Sequence, residues 1–201
     1  MNRRTRHAKL IIKDLESLNV PAAVGGSLAL FVLKVGREVP PSDIDLIIQA
    51  EDGLSVRQDL LATFPAKYTI LSNTLFFGPP NSTEEKSMVQ LLCSGKAAAL
   101  AWLRLDHRER IITIDSMQVL GLKTCLVPKL SACNTRLRTL RVDRSGKGEQ
   151  DRKDAMAIAT VMQERGEVVR KDMVTQGALS ALEFFNDHQK QVLRVVGVFD
   201  G

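Results

Sequence analysis

A chain of 201 residues, 44% apolar and 25% charged, is long enough to bury a core and is composed like an ordinary globular protein. No apolar run reaches the ~20 residues of a membrane-spanning helix, and the basic start Met1-Asn2-Arg3-Arg4-Thr5-Arg6 lacks the apolar core of a secretory signal, so an intracellular, cytoplasmic protein with no membrane partner is expected. The net charge of +5 suits a polyanionic partner, while Cys93, Cys125, Cys133 and the scattered His7, His107 and His188 have no metal-ligand spacing and read as reduced thiols and isolated imidazoles.

In chain order, Leu10, Ile11, Leu15 and Leu18 recur at helical spacing and predict an amphipathic first helix that ends before Val20-Pro21. Ala22-Ala23-Val24 reads as a strand, Gly25-Gly26-Ser27 as a turn, and Leu28 to Val35 as a helix. A Gly-Gly-Ser turn lets backbone approach an anion with no Cβ in the way, and the Ser27 hydroxyl adds a donor. After a loop with Pro40-Pro41, Asp43-Ile44-Asp45 opens the strand Ile44 to Gln49. Residues two apart on a strand share a face, so both carboxylates converge as hard oxygen ligands for Mg²⁺.

Leu54 to Phe64 reads as a helix closed by Pro65, and Tyr68–Leu71 with Leu75–Phe77 as a hairpin through Ser72-Asn73. Pro79-Pro80-Asn81-Ser82 is a break before the strand Met88 to Leu92. Lys96 to Leu105, with the sole tryptophan Trp102 taken as a packing residue, reads as a short helix or an excursion, and Ile111 to Ile114 as the last strand. From Ser116 the pattern turns helical: one helix starting with Met117, Val119, Leu120 and Leu122, a break at Pro128, and a second helix over Lys129 to Leu140. Arg144 to Gln150, with Ser145-Gly146-Lys147-Gly148, predicts a flexible loop, and Asp151 to Glu164 and Lys171 to Val196 predict helices. The expected class is α+β, with a mixed sheet and helices over residues 1–115 and a helical region over 116–201 packing on that core.

The ordered set Gly25-Gly26-Ser27, Ser42-Asp43-Ile44-Asp45-Leu46-Ile47-Ile48, Leu120-Gly121-Leu122-Lys123 and Lys147 to Asp154 resembles the nucleotidyltransferase fold of the DNA polymerase β superfamily, most nearly its minimal, AbiEii-like members. The resemblance implies a Mg²⁺-dependent enzyme that moves a nucleoside monophosphate from a nucleoside triphosphate to a hydroxyl of an RNA, a protein or a small molecule. Asp43 and Asp45 would be the catalytic and metal-holding pair. Gly25, Gly26 and Ser27 would take phosphates, Lys123 would contact the triphosphate, and Asp151 or Asp154 would close the other side of the site. Many members carry a third carboxylate on a later strand; the position aligned here is Gln90, an amide that can ligate a metal but cannot act as a base. With Gln90 there, the chain either uses another group, such as Asp115, or is a catalytically impaired nucleotide-binding or partner-binding module. A third reading is a basic nucleic-acid-binding protein, since Arg136, Arg138, Arg141 and Arg144 are candidate contacts to RNA or another polyanion.

Overall fold

The computed structural model describes residues 2–79, 86–95, 105, 110–139 and 142–199, with residues 142–145 described in backbone only. The expected excursion over Lys96 to Arg104, including Trp102, and the Pro80-Asn81-Ser82 break lie outside them. The chain divides into two compact units, Met1–Val32 with Glu38–Leu120, and Leu33–Arg37 with Gly121–Gly201.

The first unit holds one seven-stranded mixed sheet in the order β3-β4-β5-β2-β1-β7-β6. Its strands are β1 (Ala22–Val24), β2 (Asp43–Ile48), β3 (Tyr68–Leu71), β4 (Thr74–Phe77), β5 (Ser87–Cys93), β6 (Ile111–Ile114) and β7 (Met117–Leu120), and its helices are α1 (Arg3–Ser17), α2 (Gly26–Val32) and α3 (Gly53–Thr63). Asn2 caps α1 by accepting from the Thr5 amide, and Asp52 caps α3 by accepting from Leu54 and Ser55. Ile11, Leu15, Val24, Ile44, Leu46, Ile48, Leu75 and Val119 are among the side chains that fill its core. The β3–β4 hairpin forms as the sequence predicts, with Ser72 and Asn73 both at positive φ in its two-residue turn.

Met117–Leu120, expected as helix, is instead a strand. Asp115 (φ 48°) and Ser116 (φ 63°) make a second two-residue turn that pairs Ile114 with Met117, and Val119 pairs in parallel with Val24 of β1. Packing in the sheet interior overrides the local helical spacing.

The second unit is helical: α4 (Leu122–Leu137), α5 (Val142–Glu164), α6 (Gln176–Ser180) and α7 (Asp187–Val195), with 3-10 turns at Lys171–Met173 and Ala181–Phe184. Pro128 does not break α4, which runs through it; the missing amide bond is outweighed by burial of Leu122, Cys125, Leu126, Val127, Leu130 and Cys133 along the helix. The loop expected over Arg144 to Gln150 is the start of α5. Gly148 is there for closeness, since a Cβ would stand 2.7 Å from Leu137 Cδ2 on α4. The single helix expected over Lys171 to Val196 is interrupted into three short helical pieces, and α7 starts afresh on an Asn186–Gln189 capping box.

Candidate active site

The site in the first unit is assembled where β1 ends and β2 begins. Along β2, Ile44, Leu46 and Ile48 are buried on one face, whereas Asp43 and Asp45 share the other and are half-buried. β1 and β2 are antiparallel, with Val24 opposite Leu46, so the turn after Val24 falls beside Asp45. The Gly25 amide donates to the Asp45 carbonyl (2.9 Å). Gly26, at φ +56°, takes the Asp45 side chain against its Cα: a Cβ built there would lie 2.0 Å from Asp45 Oδ2. Only glycine fits that backbone and that approach. The two sequence motifs are therefore one structure, with the Asp45 carboxylate laid across the Gly-Gly-Ser turn.

The structure also divides the roles expected of the turn. The amide of Gly25 is committed to β2, so what Gly25 visibly does is brace the turn; Gly26 supplies the open approach, and Ser27 is half-buried in the first turn of α2.

β5 runs parallel to β2 with Asp43 opposite Met88 and Asp45 opposite Gln90. Register partners share a face, so Gln90, exposed, stands next to Asp45 on the carboxylate side. Among the described residues no cluster of three or more His, Cys, Asp or Glu side chains is disposed to hold a metal ion, in keeping with two carboxylates and one amide at this place. Asp115 is not a substitute. It precedes β7, whose Val119 is level with Val24, and this puts it on the order of 13 Å back along the strand direction from the site.

A residue that composition alone did not single out for this site is Arg4, from the first turn of α1. Its guanidinium donates to the Lys86 carbonyl (3.0 Å) and to Ser87 Oγ (2.5 Å) at the start of β5. Burial and the neighbouring Arg3 lower its pKa, against the opposing pull of the Asp43 carboxylate, which marks Arg4 and Asp43 as electrostatic neighbours. Ser87 Oγ is also 2.8 Å from His7 Nδ1. The sequence signal was the run Arg3-Arg4-Thr5-Arg6 at a helix start, where the helix dipole favours anions.

The residues expected from the second half have other partners. Lys123 is half-buried in the first turn of α4. Asp151 (2% exposed) and Asp154 (0% exposed) are buried and held by cations of their own unit. Lys129 Nζ reaches Asp151 Oδ1 at 2.9 Å and Asp154 Oδ2 at 2.7 Å, Arg37 grips Asp154 with two bonds of 2.9 and 2.7 Å, and Arg136 pairs with Asp151. Burial works to raise the Asp154 carboxyl, but the Arg37, Lys129 and Gln150 contacts outweigh it and hold the pKa below the usual value. In place of a nucleotide contact, these carboxylates form the tie that joins α4, α5 and the Leu33–Arg37 segment.

Of the arginines expected to meet a polyanion, Arg136 is thus engaged, and Arg138 bonds Asn134 Oδ1 (2.7 Å) and Glu183 Oε1 (2.6 Å). Arg141 and the side chain of Arg144 lie outside the described residues. The thiols are inert at neutral pH: burial pushes Cys125 up to about 12 and Cys133 up to about 11, and raises Cys93 as well. Among the described residues no helix is long and apolar enough to cross a membrane.

The α+β architecture with its mixed seven-stranded sheet is a nucleotidyltransferase fold. An antigenic nucleotidyltransferase-like protein from Paracoccidioides brasiliensis is similar over 96% of this chain and 92% of its own, with a TM-score of 0.63 at 16% identity. JHP933 from Helicobacter pylori overlaps 96% of this chain and 78% of its own at a TM-score of 0.48 and 16% identity, and the antibiotic-resistance factor ANT(2'')-Ia overlaps 95% and 90% at 0.42 and 12%. No protein-family model and no curated protein matches the chain by sequence.

Proposed function

We propose that the chain is a Mg²⁺-dependent nucleotidyltransferase of the minimal, AbiEii-like kind, which moves a nucleoside monophosphate from a triphosphate to an acceptor hydroxyl. The observation that carries the reading is the seating of Asp45 against Gly26, which puts a turn suited to phosphate and a pair of hard oxygen ligands at one place. The donor set fits a hard divalent ion: Asp43 and Asp45 would hold it, the amide oxygen of Gln90 can add a neutral ligand, and triphosphate and water oxygens complete a shell of six. When bound, such an ion neutralises charge developing on the reacting phosphoryl oxygens.

The chain's own residues do the rest. Gly26 leaves room for a phosphate beside the Asp45 carboxylate, Ser27 offers a hydroxyl to it, and the sheet holds Asp43 and Asp45 in fixed register. The acceptor oxygen attacks the α-phosphorus, the bond to the bridging oxygen breaks, and pyrophosphate leaves with that electron pair. The second reading, a nucleotide-binding module without efficient transfer, is favoured by Gln90, which stands beside Asp45 and cannot take up the acceptor proton.

Incubation with Mg²⁺, each α-labelled nucleoside triphosphate, and RNA, protein and small-molecule acceptors tests the reading. The expected result is label transferred by the native chain and lost, by at least about a hundredfold, in Asp43→Ala with Asp45→Ala. No transfer with nucleotide binding intact would establish the module instead.

A further inference from the structure

A cavity of about 700 Å³ opens in the first unit on the side of the sheet where α1 lies. Arg3, Arg6, His7 and Leu10 line it from one stripe of α1, Lys67 from the turn before β3, and Phe77 from the end of β4. The lining holds three cationic side chains and no Asp or Glu. Asp14, behind the wall, offsets Lys67 through a 2.7 Å ion pair, so Arg3 and Arg6 set the sign of the cavity. Both are exposed and sit in the opening turns of α1, where the helix dipole disfavours cations and no acidic residue compensates. A bound anion would compensate both.

The cavity also leads to the catalytic end. His7 in its wall meets Ser87 Oγ, Arg4 meets the same hydroxyl, and the next residue of β5, Met88, is the register partner of Asp43. Arg3, Arg4 and Arg6 thus carry positive charge from the cavity, round the end of the strands, to the carboxylate pair. A volume of that size accommodates a nucleotide-sized group rather than a lone ion.

Resting on the nucleotidyltransferase reading, we infer that this cavity anchors the phosphodiester backbone of a single-stranded RNA acceptor whose end reaches the site at Asp43 and Asp45. The seat is the start of α1, in place of the engaged Arg136 and Arg138.

The test is equilibrium binding of a fluorescent ten-nucleotide RNA by anisotropy, across a salt series, to the full chain. Arg3→Gln with Arg6→Gln is expected to weaken binding on the order of tenfold and to reduce the salt slope by about 1.4, at ~0.7 per phosphate contact. Arg3→Lys with Arg6→Lys should retain most of the affinity, and nucleoside triphosphate binding should be unchanged in both. Because the readout is RNA binding, loss of transfer with RNA binding intact would defeat the enzyme reading and leave this inference standing. Unchanged RNA affinity in the glutamine variant would overturn it, as would binding of ribose 5-phosphate to the cavity with no binding of RNA. A drop in RNA affinity matched by an equal drop in triphosphate binding or in melting temperature would also overturn it.

Discussion

Asp45 Oδ2 lies where a methyl group at position 26 would have to go, and φ at Gly26 is +56°. Gly26→Ala is therefore expected to cost about 2 kcal/mol of stability and to displace the carboxylate, weakening triphosphate binding; a denaturant melt and a nucleotide titration check both. Gly25→Ala makes the contrast. Its Cβ would meet only the flexible Ile47 side chain, at 3.1 Å, so less than about 1 kcal/mol should be lost. At Gln90, in register with Asp45, an aspartate restores a third carboxylate: Gln90→Asp should tighten divalent-ion binding in the presence of triphosphate on the order of tenfold, about 1.4 kcal/mol, by calorimetry.

At the scale of elements, the tie of Lys129, Asp151, Asp154, Arg37 and Arg136 holds the second unit's helices. Asp154→Asn leaves Arg37 and Lys129 undercompensated in a buried place and is expected to destabilise by about 3 kcal/mol in a denaturant melt. Because the folded pKa of Asp154 is depressed, its contribution is present above the unfolded value near 4 and is lost as pH falls through the lower folded value. The native chain should therefore lose stability on acidification below about pH 4 more steeply than Asp154→Asn. The elements around Gly25-Gly26-Ser27 and Asp43-Ile44-Asp45 were legible because turn chemistry and period-two alternation are local signals. β7 was not, since its pairing to β1 is distant in sequence and only the Asp115-Ser116 turn hints at it. Nor was the passage of α4 through Pro128, or the helical start of α5, where Gly148 serves close approach to Leu137 rather than a loop. Gln90 was placed correctly beside Asp45, whereas Asp151 and Asp154 looked like ligands because sequence does not show the cations that bury with them.

For the whole molecule, one sheet in the first unit carries the carboxylate pair, the glycine turn and the basic cavity, and the second unit is a helical body with its own buried ion network. The central claim is that Asp43 and Asp45 hold a divalent ion together with a triphosphate on the Gly26 turn. Its most direct test is a titration of Mn²⁺, as a spectroscopic stand-in for Mg²⁺, into the full chain with and without a non-hydrolysable nucleoside triphosphate, alongside Asp43→Asn with Asp45→Asn. The account predicts Mn²⁺ uptake that triphosphate strengthens and that the double variant loses while keeping its fold; equal uptake by the native chain and the folded variant would contradict it.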